Sequence, residues 1–193
     1  MAKRAFDVAF LVVFIGMAAT CATLSYRLYT TRSTTVEQRA LASVVGRKIA
    51  PLTGLSRSGT VKRLDWGSPD SRTTVIYAFS PTCVWCARNL PNLKALLAIP
   101  RSRLRIVGLS LSGQGLEDYL EVNGLQFDEV LHGVNSIDLV QDGLVATPTT
   151  MVVSAQGVVR KYWRGAYLQR SQPEVEAFFG LKLPGLKAEP AQP

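Results

Sequence analysis

The residues of this sequence best suited to chemistry are two cysteines three positions apart, in Cys83-Val84-Trp85-Cys86. On the first turn of a helix, sulfurs at i and i+3 lie close enough to close and reopen a disulfide with little rearrangement. Such a turn also presents unpaired backbone N–H groups and a positive partial charge. Both favour thiolate over thiol at the first position, so Cys83 is expected to be the exposed, attacking sulfur. Cys86, one turn inward, would then resolve a mixed disulfide by attacking Cys83. Two other roles compete. A structural zinc site needs four ligands, and here there is one histidine, His132, and no second cysteine pair; carboxylates would have to complete it. A purely structural disulfide would close too short a loop to constrain the unfolded chain much.

A second pattern accompanies the first. Ala146-Thr147-Pro148-Thr149-Thr150 directly precedes an apolar run. A proline at the start of an internal strand donates nothing to the sheet, and a cis peptide there would bring the preceding backbone beside the thiols. Thr147 would then offer its main chain to an extended substrate segment.

Both motifs depend on elements that position them. Val75 to Phe79 is a nearly continuous apolar run of the kind buried on both faces of a sheet, and Pro81 stops it. Leu90, Leu93 and Leu97 recur at helical spacing, which predicts a helix from near Cys83 to about Ala98. Arg105 to Leu111 reads as another buried strand, 116–122 and 137–144 as short helices, and His132 as a surface or loop residue. Thr149 to Val153 and Val158 to Trp163 form a hairpin about Ala155-Gln156-Gly157. Pro173 opens a last helix through Phe179. Upstream, 49–55 and 61–64 are strand-like about the turn Ser58-Gly59, and 67–70 is a loop. The order predicts one α/β domain with a mixed central sheet flanked by helices.

The remainder of the chain sets the context. Residues 5–24 are apolar apart from Asp7 and a few hydroxyl residues, with Lys3 and Arg4 before them and Tyr26 and Tyr29 after. Twenty helical residues rise about 30 Å, a bilayer's hydrocarbon thickness. The expected division is a cytoplasmic 1–4, a transmembrane signal anchor 5–25, a linker 26–44, the domain 45–181 and a disordered tail 182–193. A cleaved signal peptide is the alternative to a retained anchor. Cys21 then reads as a small membrane hydrophobe. The net charge of +8 is uneven: no Lys or Arg lies between Arg105 and Arg160, where seven acidic residues fall. Without a basic helix or an aromatic stacking platform, the charge does not point to nucleic acid; it reads first as a solvated surface.

From about Gly46 to Phe179 the chain resembles the thioredoxin superfamily and, within it, the membrane-anchored TlpA-like branch. The resemblance rests on Ile49-Ala50-Pro51-Leu52, Phe79-Ser80-Pro81-Thr82-Cys83 with Cys86, Pro91, Thr147-Pro148-Thr149-Thr150 and Gln156-Gly157. The Ser80-Pro81-Thr82-Cys83 stretch is also similar to thioredoxin-like accessory proteins of methylamine utilisation. The resemblance implies a thioredoxin-like fold in which Cys83 is the nucleophile, Cys86 the resolving thiol and Pro148 cis, with Trp85, Thr147 and Pro148 in the substrate-binding surface. It implies a kink near Pro91, and thiol–disulfide exchange without a cofactor. The favoured direction is reductase or isomerase, fed by a membrane electron donor. The implied substrates are cysteines of exported proteins, such as apocytochromes or a secreted enzyme subunit, on the periplasmic side of the inner membrane. The rival is a metallochaperone or assembly factor holding a soft metal such as Cu(I) on the same cysteines. Three departures stand out: Val84-Trp85 lacks the proline of common reductases, Thr82 replaces a frequent tryptophan, and Tyr77 stands where many relatives place a buried acid.

Overall fold

The computed structural model describes residues 16–26, 44–67 and 72–187. The chain divides into two compact units, 1–42 and 43–193. In the first, residues 16–26 are helical; the rest of the expected anchor and nearly all of the linker lie outside the described residues. Among the described residues no helix is long and apolar enough to cross a membrane.

The second unit is built on seven strands: β1 (Leu52–Leu55), β2 (Val61–Leu64), β3 (Thr73–Phe79), β4 (Leu104–Ser110), β5 (Glu129–His132), β6 (Thr149–Val153) and β7 (Val159–Arg164). Their order across the sheet is β2-β1-β5-β4-β3-β6-β7. β3, β4 and β5 run parallel and the other pairings are antiparallel. The helices are α1 (Val84–Arg88), α2 (Leu90–Leu97), α3 (Leu116–Val122), α4 (Ser136–Gln141) and α5 (Gln172–Phe179).

Strand alternation sorts the core into two layers. Val75, Tyr77 and Phe79 of β3 share one cluster with Cys86 of α1, Leu90, Leu93 and Leu96 of α2, Leu116 and Leu120 of α3, and Val175 and Phe179 of α5. Ile76 and Ala78 face the other way, with Val107, Leu109, Met151, Leu139 and Leu144. Every residue from Thr74 to Phe79 is buried, which is why the strand reads as an unbroken apolar run.

Four features differ from the expectations. The helix after Cys83 is two helices, joined at Asn89, which caps the C-terminus of one and the N-terminus of the other. Pro91 stands in the first turn of α2, where its missing donor is no loss; the expected kink is realised as a break just upstream. His132 is not a loop residue: it ends β5, opposite Ser110 and Leu55. That strand begins at Glu129, whose largely buried carboxylate is held by Arg105 at 2.6 Å and Lys62 at 3.0 Å. Residues 182–187, expected within a disordered tail, pack back on the domain: Leu183 is buried, Gly185 N–H donates to Asn92 Oδ1 at 2.8 Å, and Lys187 N–H donates to the Arg88 carbonyl at 2.8 Å. Val44, assigned to the linker, is buried in the second layer.

Candidate active site

The two cysteines occupy the first turn of α1, directly beyond the end of β3. Cys83 is the N-cap, with φ −79° and ψ 112°, and its Sγ accepts the Cys86 backbone N–H at 3.1 Å. A sulfur in the N-cap role satisfies a backbone donor that the first turn otherwise leaves unpaired, and the same donor stabilises the sulfur when it is charged. Cys83 N–H donates in turn to the Ser80 carbonyl at 3.1 Å, which fixes the loop leading in from the strand.

Exposure separates the two sulfurs. Cys83 is half-buried and Cys86 fully buried. Burial pushes the Cys86 thiol well up, and the neighbouring Cys83 adds to the effect; Cys86 is therefore a thiol at neutral pH. Of the two, only Cys83 is accessible to a disulfide in another molecule.

The second motif meets the first here. The Thr147–Pro148 peptide is cis, and the Thr147 carbonyl accepts the Cys83 thiol at 3.5 Å. Pro148 is buried, and its carbonyl accepts Gly165 N–H at 2.7 Å, tying the loop to the end of β7. Thr149 Oγ1 donates to the Ala146 carbonyl at 2.7 Å and closes the turn around the proline. Trp85 is 46% exposed and points outward from the cysteine turn, with the Arg88 guanidinium 4.7 Å from its ring centre. All five residues singled out from the sequence thus belong to one neighbourhood: Cys83, Cys86, Thr147 and Pro148 by position at the sulfur, Trp85 on the open side of the same helical turn. Among the described residues, no group of three His, Cys, Asp or Glu side chains is arranged to hold a metal ion.

Behind Cys86 the structure adds residues that sequence reasoning passed over. Asn89 is fully buried. Its Nδ2 donates to Tyr77 Oη at 3.1 Å, and its Oδ1 accepts Asn92 Nδ2 at 2.9 Å and Tyr167 N–H at 3.2 Å. Tyr167 Oη is 2.5 Å from Thr150 Oγ1. Desolvation pushes the phenols of Tyr77 and Tyr167 upward, so this buried polar network is uncharged. The available signal was the pair Asn89 and Asn92, three apart on an otherwise apolar helix face.

Solved structures share this architecture. The thioredoxin domain of a thiol-disulfide oxidoreductase from Bacteroides vulgatus matches with a TM-score of 0.52 at 18% identity, covering 70% of this chain and 97% of that one. A thiol-disulfide isomerase from Corynebacterium glutamicum matches with a TM-score of 0.55 at 15% identity, over 70% and 94% of the two chains. This is the thioredoxin fold. A secreted disulfide oxidoreductase from Mycobacterium tuberculosis gives a TM-score of 0.52 at 17% identity, over 66% of this chain and 93% of that one. No family model and no curated protein matches the sequence. Within the thioredoxin fold of this chain, the cysteine turn and the cis proline are brought face to face from positions 64 residues apart.

Proposed function

We propose that this thioredoxin-fold protein is a thiol–disulfide oxidoreductase acting on cysteines of exported proteins, in the reducing or isomerising direction. The observation that carries the reading is the asymmetric cysteine pair. A half-exposed Cys83 sulfur receives a backbone N–H at 3.1 Å and stands opposite a cis Thr147–Pro148 peptide, with a buried thiol one turn behind. Cys83 thiolate attacks a substrate disulfide; one S–S bond forms as another breaks, and the departing substrate sulfur leaves as a thiolate that takes a proton from solvent. Cys86 then loses its proton and attacks Cys83 Sγ, releasing the second substrate thiolate. The protein is left as the Cys83–Cys86 disulfide, and two electrons have passed to the substrate.

The reducing direction follows from the resemblance to membrane-anchored TlpA-like proteins, which receive electrons from a membrane partner. The reading includes an N-terminal anchor over 5–25 that holds the domain on the periplasmic side, and a membrane partner that returns electrons to the disulfide. The apolar run and its flanking basic residues support the anchor. The secreted character of the Mycobacterium tuberculosis relative is consistent with the compartment.

Trapping tests the reading. Cys86→Ser is expected to accumulate a mixed disulfide through Cys83 when offered a disulfide-bonded peptide, and Cys83→Ser none. A Cys86→Ser protein that forms no adduct contradicts the exchange chemistry. A stoichiometric Cu(I) complex held against a competing chelator, without turnover, favours the metallochaperone reading instead.

A further inference from the structure

β7 lies at the edge of the sheet, and the first residues of the domain are laid along its start. Gly46 N–H donates to the Val159 carbonyl at 2.8 Å, Val159 N–H to the Arg47 carbonyl at 2.9 Å, and Ile49 N–H to the Gly157 carbonyl at 2.9 Å. The pairing brings Arg47 and Lys48 beside Arg160 and Lys161. All four are exposed, and among the described residues none of them forms an ion pair or a side-chain hydrogen bond. Asp142 is buried, and Arg47 influences its carboxyl without pairing to it. Elsewhere cations are matched: Arg57, Lys62, Arg63, Arg101, Arg105 and Lys182 each reach a carboxylate. A patch of one sign, left unneutralised on a domain that pairs many of its other charges, fits a surface of the opposite sign. Charges on an edge strand also discourage pairing with another chain. That accounts for Arg160 and Lys161 but not for Arg47 and Lys48, which sit on the segment already covering the edge.

Resting on the N-terminal anchor proposed above, we propose that this basic edge docks on the anionic headgroups of the bilayer. The course of the chain favours a lipid surface over an acidic protein. The apolar run of residues 5–24 leads into the domain at Val44, just before Arg47, so the patch begins where the tether ends. Each Lys or Arg brought to an anionic surface strengthens binding about fivefold, and a tethered domain does not have to be captured from dilute solution.

The same contact sets which way the cysteines face. Thr149, beside the cis proline, lies opposite Arg164, whereas Val153 lies opposite Val159 at the other end of the strand pair. Arg47, Lys48 and Arg160 are thus at the end remote from Cys83, about 13 Å further along the strands. A domain seated on them turns Cys83 away from the lipid, toward soluble exported proteins.

The experiment places the full-length chain in nanodiscs of phosphatidylcholine, alone or with about one-third phosphatidylglycerol, and follows acetylation of its lysines by mass spectrometry. Lys48 and Lys161 are expected to react at least about fivefold more slowly on the anionic discs. They should recover in about 0.5 M NaCl, where charges are screened within about 4 Å. Lys94, exposed on α2, is expected to react alike on both. Arg47→Glu combined with Arg160→Glu, both at exposed positions, should abolish the protection of Lys48 and Lys161. Equal rates on the two kinds of disc, or slowing of Lys94 to the same extent, overturn the docking and leave the anchor standing. Protection by soluble polyglutamate but not by the anionic discs overturns the lipid as partner and assigns an acidic protein instead. A chain that separates from the discs overturns the anchor and the docking with it.

Discussion

Replacing Asn89 by alanine removes both ends of an amide on which three buried groups depend. Tyr77 Oη loses its donor, while Asn92 Nδ2 and Tyr167 N–H lose their acceptor. Each buried group left unpaired costs about 1–3 kcal/mol, and a water entering the space recovers part of that. The expected loss is therefore about 3–5 kcal/mol, a large share of the total stability of an ordinary domain. Urea titration followed by tryptophan fluorescence measures it directly. With a slope of about 1–3 kcal/mol per molar, the midpoint should fall by more than about 1 M at unchanged slope. Tyr77→Phe in parallel strands only Asn89 Nδ2 and should cost about 1–2 kcal/mol. If Asn89→Ala costs less than about 1 kcal/mol, or no more than Tyr77→Phe, the network does not organise the joint between α1 and α2, and the reasoning fails.

Two further outcomes follow from side chains away from the cysteines. Asp142, at the C-terminus of α4, is buried, and that burial pushes its carboxyl up to about 6, with Arg47 opposing and Asp138 adding to the shift. A folded-state value raised above the unfolded one means that stability is lost as pH rises from about 4 to 6. Asp142→Asn should therefore stabilise by about 1–3 kcal/mol at pH 7.5 and by almost nothing at pH 4, and equal melting shifts at the two pH values would contradict this. Gly157, in the turn between β6 and β7, has φ +78°, and a Cβ there would lie 2.7 Å from Cδ1 of Trp66. Gly157→Ala should cost about 2 kcal/mol or more, lowering the melting temperature by several degrees; a variant as stable as wild type in calorimetry would count against the tight turn.

How far the sequence alone reaches follows from which signals are local. β3, β4 and β6 are buried on both faces, so their apolar runs are visible without knowledge of their neighbours. The cysteine turn and the Thr147-Pro148 motif are likewise short-range patterns, although only the fold brings them to 3.5 Å. β5 was missed because it has four residues and opens on Glu129, a residue made compatible with burial by Arg105 and Lys62 from β4 and β2. The break at Asn89 has no helix-breaking residue at the break itself, and depends on partners in β3 and in the loop after β7. Residues 182–187 look like a Pro-rich tail, yet they find acceptors at Asn92 and Arg88 that no local pattern announces.

The central claim, that Cys83 and Cys86 form a reversible redox couple used for reduction, is tested most directly by the reduction potential of the pair, equilibrated in glutathione or dithiothreitol buffers. A potential near about −270 mV is the expected result for a disulfide reductase. A value near about −120 mV belongs to a strong disulfide donor and would reverse the direction assigned here. Failure to form a reversible Cys83–Cys86 disulfide would contradict the account itself.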